Sequence, residues 1–306
     1  MNFSTTTKAV LLLVLCAFFW GSTFPLGKNA LNEVHAFTLV FWRFTIAAVC
    51  LAVYIKMIRG PKIILTAKQW VWAVAVSAVG VGGLNLGLFT GLTYTSAANG
   101  SLIMALSPLM TSLIACIAKR TLPTAAQCFS LLVSLSGVML VITNGHLETL
   151  LDMQLNHGDK LIFTGMLAWS LYTYCSQGIS RWMPVIPYTF VGMVSGAVVI
   201  GIMCLMTPDV HPFDEFMNSS TVGMTEIIYI GLFGTVAGYL LWLNGVRQLG
   251  SANASLFFNF VPVFALFTSF LMGQSVTQLQ LVGVAVVIAG LLLPRLITFK
   301  PRLTKS

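Results

Sequence analysis

Arg43 stands seven positions into an apolar stretch that opens at position 36. In a helix that places it about 10 Å deep, where a charge costs at least about 2.5 kcal/mol on insertion scales. Such a group snorkels or bonds backbone carbonyls, pairs with a carboxylate, or offers its two-pronged guanidinium to an anionic ligand. The pairing candidate is Glu226, and an Arg43–Glu226 pair would form a gate. Trp20 and Trp169 also lie in mid-segment, joined nearby by Ser22, Thr23, Tyr172, Thr173, Tyr174 and Gln177. A buried indole or phenol needs a partner for its polar tip. These side chains either pack helices together or wall a cavity that stacks on a ligand or holds a cation. Asn85, Asn244 and Asn259 add amides at depth, as interhelical hydrogen-bonding groups or as ligand contacts. Pro108 and Pro262 each fall near the middle of an apolar segment. Proline frees the carbonyl four residues earlier, here Met104 and Phe258, so each is either a packing kink or a cavity border.

These groups do not assemble a catalytic site. No Asp or His lies within an apolar segment, and Glu226 stands at the entrance of one, so neither a carboxylate pair nor a histidine triad forms at depth. The run from Gly21 to Gly27-Lys28 misses the phosphate-loop spacing and has Asn29 where Ser or Thr is required. An enzyme or an ATP-driven pump is therefore not expected, and no cofactor is implied. His146, Glu148, Asp152, His157 and Asp159 share one connection, which reads as a solvated loop rather than a metal site. The six cysteines show no CxxC pair and read as small packing residues.

The elements that must position these residues follow from composition. Only 8% of the 306 residues are charged, 57% are hydrophobic and the mean hydropathy is +0.91, against roughly 25% charged in a soluble domain. So few charges cannot cover a water-facing surface, and lipid must cover much of it. The net charge of +8 would suggest nucleic acid only if the basic residues formed a patch, but they cluster at alternate connections, so no nucleic-acid partner is expected.

Ten apolar runs are long enough to span a bilayer. They cover about 9–27, 36–55, 71–91, 97–118, 125–143, 161–178, 188–207, 227–246, 252–272 and 278–297. The first has no small-residue cleavage pattern after it and reads as a span. With the N-terminus inside, 13 of the 16 basic residues fall on the cytoplasmic side, and all eight acids fall on the other side or at its edge. This predicts a multi-pass protein of the cell inner (cytoplasmic) membrane with both termini cytoplasmic.

The second half repeats the first. Trp169 falls on Trp20 at an offset of 149 residues; Ala252-Asn253-Ala254-Ser255-Leu256 falls on Ala98-Asn99-Gly100-Ser101-Leu102, and Pro262 on Pro108, at 154. Gly234 follows Gly80 and Gly245 follows Gly91 at that second offset. Gly83, Gly87 and Gly91, and again Gly234 and Gly238, have the GxxxG spacing of closely packed helices. Five spans is an odd number, so the second copy must enter the membrane from the opposite side. Accordingly, the connection 56–70 carries four basic residues while its counterpart 208–226 carries Asp209, Asp214, Glu215 and Glu226 with no Lys or Arg. Inverted repeats are an architecture of secondary transporters.

Phe19-Trp20-Gly21-Ser22-Thr23-Phe24, Phe41-Trp42-Arg43-Phe44, the Ala-Asn-x-Ser-Leu openings, the mid-helix prolines and the Gly-rich last span together resemble the drug/metabolite transporter superfamily, in its EamA-type ten-span members. The resemblance covers essentially the whole chain. It implies export, or less often uptake, of amino acids, amines, organic acids, nucleotide-type metabolites or drugs. Gly192 stands where the second copy would carry a counterpart of Arg43, which leaves any charge recognition to one half.

The expectation is an all-α integral membrane protein of ten transmembrane helices in two inverted five-helix repeats, 1–143 and 161–306, joined by an external linker 144–160. It is expected to carry a small metabolite by alternating access. Expected partners are a small-molecule substrate and the lipid bilayer, with a homodimer allowed. The alternative is a membrane-embedded signalling or scaffold protein without transport activity.

Overall fold

The structure, a computed structural model, describes residues 5–58, 63–92, 94, 103–143 and 156–298. Its ten long helices are α1 (Thr5–Ala30), α2 (Ala36–Ile58), α3 (Ala67–Ser77, continued by Ala78–Gly83 and Leu84–Leu92), α4 (Ile103–Lys119), α5 (Ala125–Thr143), α6 (His157–Ile179), α7 (Val185–Met206), α8 (Thr221–Leu249), α9 (Ser251–Leu271) and α10 (Gln278–Thr298). A short helix, Pro212–Asn218, lies between α7 and α8. Among the described residues there is no strand. The Ala98–Leu102 opening of the fourth span and most of the 144–160 linker lie outside the described residues.

Six helices, α1, α2, α3, α7, α8 and α9, are long and apolar enough to cross a membrane unaided, and α4, α5 and α10 contain shorter apolar stretches. α6 has the length but opens on His157-Gly158-Asp159-Lys160. Those polar residues serve its cap: Asn156 accepts from the Asp159 N–H at 2.9 Å and Asp159 accepts from the Asn156 N–H at 3.0 Å, satisfying donors that a helix start leaves orphaned. Caps also explain why helices overrun their apolar runs. α8 starts at Thr221, six residues before its apolar run, because the Ser220 hydroxyl accepts from the Gly223 N–H at 3.1 Å.

Packing relations exchange between the halves. α1 packs on α8 and α9, and α6 packs on α3 and α4, while α2 meets α7 and α5 meets α10. The glycines show this residue by residue. Gly234 has no room for a Cβ against Thr23, nor Gly80 against Tyr172; the same holds for Gly245 against Leu13 and Gly91 against Ile162. Each second contact is the first moved by the sequence offsets, which is what two copies of one five-helix unit produce.

Two irregularities repeat as well. α3 widens into π-helix over Ala78–Gly83, and α8 does so over Ile230–Ala237. Each proline follows a helix break, at Leu106 before Pro108 and in the 3₁₀ turn Leu256–Asn259 before Pro262. The breaks fall where a ring without an N–H would place them.

Candidate functional site

The junction of the halves is filled by rings. Trp20 of α1 meets Trp169 of α6 at 5.5 Å between centroids, Trp242 of α8 at 5.2 Å, Tyr239 at 5.8 Å and Phe258 of α9 at 5.7 Å. Trp169 stacks on Tyr172 at 5.4 Å, and Tyr172 on Tyr188 of α7 at 5.9 Å. Trp169, Trp242 and Tyr239 are only 2%, 1% and 3% exposed. In this conformation the rings close the space between the halves.

The π segment of α8 holds two of the candidate residues. Trp20 Nε1 donates to the Gly234 carbonyl at 2.8 Å. Arg43 Nε donates to Thr235 Oγ1 at 3.0 Å, and that hydroxyl donates to the Ile230 carbonyl five residues back at 2.9 Å. A π turn leaves carbonyls and side chains off the regular ladder, which is why such turns recur at functional sites. The Arg43 guanidinium carbon also lies 5.4 Å from the Phe44 ring centroid.

The expected Arg43–Glu226 pair is not formed. Glu226 instead accepts from Asn29 Nδ2 at 2.9 Å, and its other oxygen has no partner. Glu226 is in the first turns of α8 whereas Thr235 is more than two turns further along, and Arg43 meets the deeper residue.

Several polar groups inside the bundle are left poorly paired. Trp169 Nε1, Trp242 Nε1 and the Thr173 hydroxyl are buried without a hydrogen-bond partner, and the Tyr172 and Ser77 hydroxyls approach the Tyr188 hydroxyl without good hydrogen-bond geometry. Gly192, the counterpart of Arg43, faces Ser77 and Tyr172: a Cβ there would lie 3.9 Å from each hydroxyl. Trp20 and Arg43 bond adjacent residues of the π turn, and Tyr239, four residues beyond Thr235, meets both Trp20 and Trp169 at 5.8 Å, so Arg43 borders the ring cluster.

The other candidates sort as follows. Asn85 Nδ2 donates to Val81 of its own helix at 2.8 Å, and Asn244 Nδ2 to Leu240 at 2.8 Å. Asn259 bonds across helices, donating to Ser134 Oγ of α5 at 2.7 Å. Thr23 turns its hydroxyl to the Trp20 carbonyl at 2.7 Å and its methyl to Gly234. Pro108 and Pro262 sit at the helix breaks. Tyr174 is half-buried, about 200° round α6 from Tyr172, and stands outside the ring cluster. The sequence does not single out Trp242, Tyr239 and Tyr188, and it marks Phe258 only for its carbonyl. Thr235, Tyr239 and Trp242 do share the i, i+4, i+7 spacing of one helix face, a signal that would have found two of them. An apolar crevice of about 140 Å³ between α3 and α6, lined by Trp72, Val79, Leu171 and Cys175 among others, abuts Tyr172. Its lining offers no partner to a charged ligand.

At one end of the bundle, carboxylates bond backbone across the halves. Glu33, in the turn after α1, accepts from the Ser220 N–H at 2.6 Å and the Ser220 hydroxyl at 2.8 Å. Glu215 accepts from the His35 N–H at 2.6 Å and the His211 N–H at 2.9 Å. The Ser220 donors hold the Glu33 carboxyl below its ordinary value. Partial burial raises Glu215, but the His35 and His211 N–H groups outweigh it and its value is also lowered. Glu226 faces Glu33, and His35, His211 and Cys204 face Glu215. A lowered carboxyl contributes stability above its ordinary value and loses it as pH falls through the lowered one. Amide exchange at His35 and Ser220, corrected for intrinsic rates, should therefore lose protection on acidification below the ordinary carboxylate range. Unchanged protection there would mean that these bonds do not depend on ionisation.

Comparisons with known proteins place these features. The sequence pattern of the EamA-like transporter family matches residues 7–143 and again residues 156–295. The chain is 32% identical over 283 residues to the "Uncharacterized transporter YyaM" of Bacillus subtilis, covering 92% of this chain and 92% of that one. It is 24% identical over 291 residues to the "Probable terminal-alkyne amino-acid exporter" of Streptantibioticus cattleyicolor, covering 94% of this chain and 93% of that one. A solved crystal structure aligns over 96% of this chain and 99% of its own with a TM-score of 0.75 at 17% identity, a likeness of fold.

Proposed function

Because the chain belongs to the EamA-like transporter family, we propose that it is a secondary transporter exporting a small carboxylate-bearing metabolite, an amino acid or an organic acid, by alternating access. The reading is carried by the ring cluster at the junction of the halves, where two indole N–H groups are buried without acceptors and the Tyr172 hydroxyl is poorly paired, and where Arg43 bonds the same turn of α8 as Trp20. A buried donor left unpaired costs about 1–3 kcal/mol, and there is no water in a bilayer core to relieve it. A ligand rich in acceptor oxygens supplies the missing partners. Arg43 is held by a neutral hydroxyl, so a carboxylate replaces Thr235 with the stronger, charge-assisted bond.

The rings must part for a substrate to enter, and two related halves can do so by exchanging conformations, opening the seam first to one side and then to the other. The basic residues favour the cytoplasmic side for the termini, which makes the acidic end external. Export is supported by the name of the Streptantibioticus relative.

The test is efflux from proteoliposomes loaded with a panel of labelled amino and organic acids, chosen from compounds that accumulate in deletion cells and are depleted in overexpressing ones. The reading fails if the wild-type protein moves no anionic or zwitterionic compound. Tyr172→Phe sharpens the test. Removing a poorly paired hydroxyl should leave melting temperature nearly unchanged, while KM rises about tenfold from one lost hydrogen bond to a charged group. An unchanged KM would make that hydroxyl a bystander.

A further inference from the structure

We propose that Glu33 and Glu215 are gating residues that latch the acidic end of the two halves shut and must release for the central seam to open there. The proposal rests on the transport reading above. Each carboxylate belongs to one half and bonds the backbone of the other: Glu33 follows α1 and holds the start of α8, and Glu215 precedes α8 and holds the start of α2. The bonds are reciprocal and link positions 187 and 180 residues apart. Splitting the halves at this end breaks both.

Bonds to an ionised carboxylate are strong for hydrogen bonds, yet these are exposed. Water competes for them, so the latch is reversible on the timescale of a transport cycle. A fully buried clamp would not be.

The latch is also wired to the site. Trp42, beside Arg43, donates to the Pro212 carbonyl at 2.7 Å and stacks on Phe216 with centroids 4.5 Å apart. The short helix that carries Glu215 is therefore fastened to α2 next to Arg43. Movement of that helix away from α2 strips support from the helix turn that aims the guanidinium at Thr235.

The Glu33–Ser220 contact has no equivalent at its repeat-related positions. Trp182 stands where Glu33 would, and Thr66 where Ser220 would. Thr66 is engaged in its own helix cap with Gln69.

The experiment reads accessibility from the acidic end without relying on transport. Thr23→Cys places a thiol beside Trp20, and its alkylation by a membrane-impermeant maleimide is followed in sealed vesicles of either orientation, against the Thr23 parent to subtract the native cysteines. Adding Glu33→Ala and Glu215→Ala should speed alkylation from the acidic side about tenfold and leave the other side unchanged; the milder Glu33→Gln should give a smaller rise. Conversely, cross-linking a Glu33→Cys, Ser220→Cys pair with a short thiol reagent should stop efflux until the link is cleaved. Unchanged or slower alkylation in the alanine variants, or full efflux from the cross-linked protein, overturns the latch. If alkylation accelerates but no compound is transported by the wild type, the latch stands and the transport reading fails.

Discussion

Arg43→Ala should lower efflux of a carboxylate-bearing substrate, expressed as kcat/KM, by roughly 12- to 140-fold, the range given by a lost hydrogen-bonded charge contact of about 1.5–3 kcal/mol. The protein should still reach the membrane, since removing a charge from a span lowers its insertion cost. The structure makes the expectation specific. Arg43 has no carboxylate partner at Glu226 and spends one N–H on the Thr235 hydroxyl, which leaves its other N–H groups for a carboxylate. Arg43→Lys keeps the charge and loses the fork. A lysine variant that transports like alanine points to bidentate recognition, and one that transports like arginine points to charge alone. Thr235→Val separates binding from parking: it frees the guanidinium and should not weaken the substrate. Normal transport of every identified substrate by Arg43→Ala would return the residue to a structural role.

The largest effect on stability is expected at the crossing of α5 and α10. A Cβ at Gly137 would meet the Val287 N at 2.6 Å and the Gly283 carbonyl at 2.7 Å; one at Gly290 would meet the Ser134 N at 2.6 Å. These neighbours are backbone, which cannot turn aside, so the helices must separate. Gly137→Leu or Gly290→Leu should cost more than about 4 kcal/mol, the exceptional end of single substitutions. Loss of monodisperse protein in detergent, or a fall of the melting temperature to near ambient, is the measurement. Gly178→Ala is the control, because nothing lies within 4 Å of its Cβ position. Wild-type melting in Gly137→Leu would show that α5 and α10 do not approach in this way.

Much of the architecture was legible in residue order. Ten spans follow from the apolar runs and from basic residues that gather at every second connection, because a bilayer imposes length and the insertion machinery reads charge. The repeat was legible because Trp20 and Trp169, Pro108 and Pro262, and Gly80 and Gly234 keep their offsets. Those positions are tied to packing that leaves little freedom: Gly80 and Gly234 each abut a residue of the opposite half with no room for a methyl. Arg43 was conspicuous for a plainer reason, as a full charge among apolar neighbours.

Its partner was not. The sequence offered Glu226 on grounds of charge, while the tertiary structure chose Thr235, because the π turn sets the rotation of α8 and brings a hydroxyl more than two turns deeper under the guanidinium. The partners of the Glu33 and Glu215 clamps were hidden likewise. In water, an apolar stripe marks the face of a helix that turns inward. In lipid both faces are apolar and the stripe disappears, so which way a span is turned, and which residue nearly two hundred positions away it meets, is decided only when the ten helices pack.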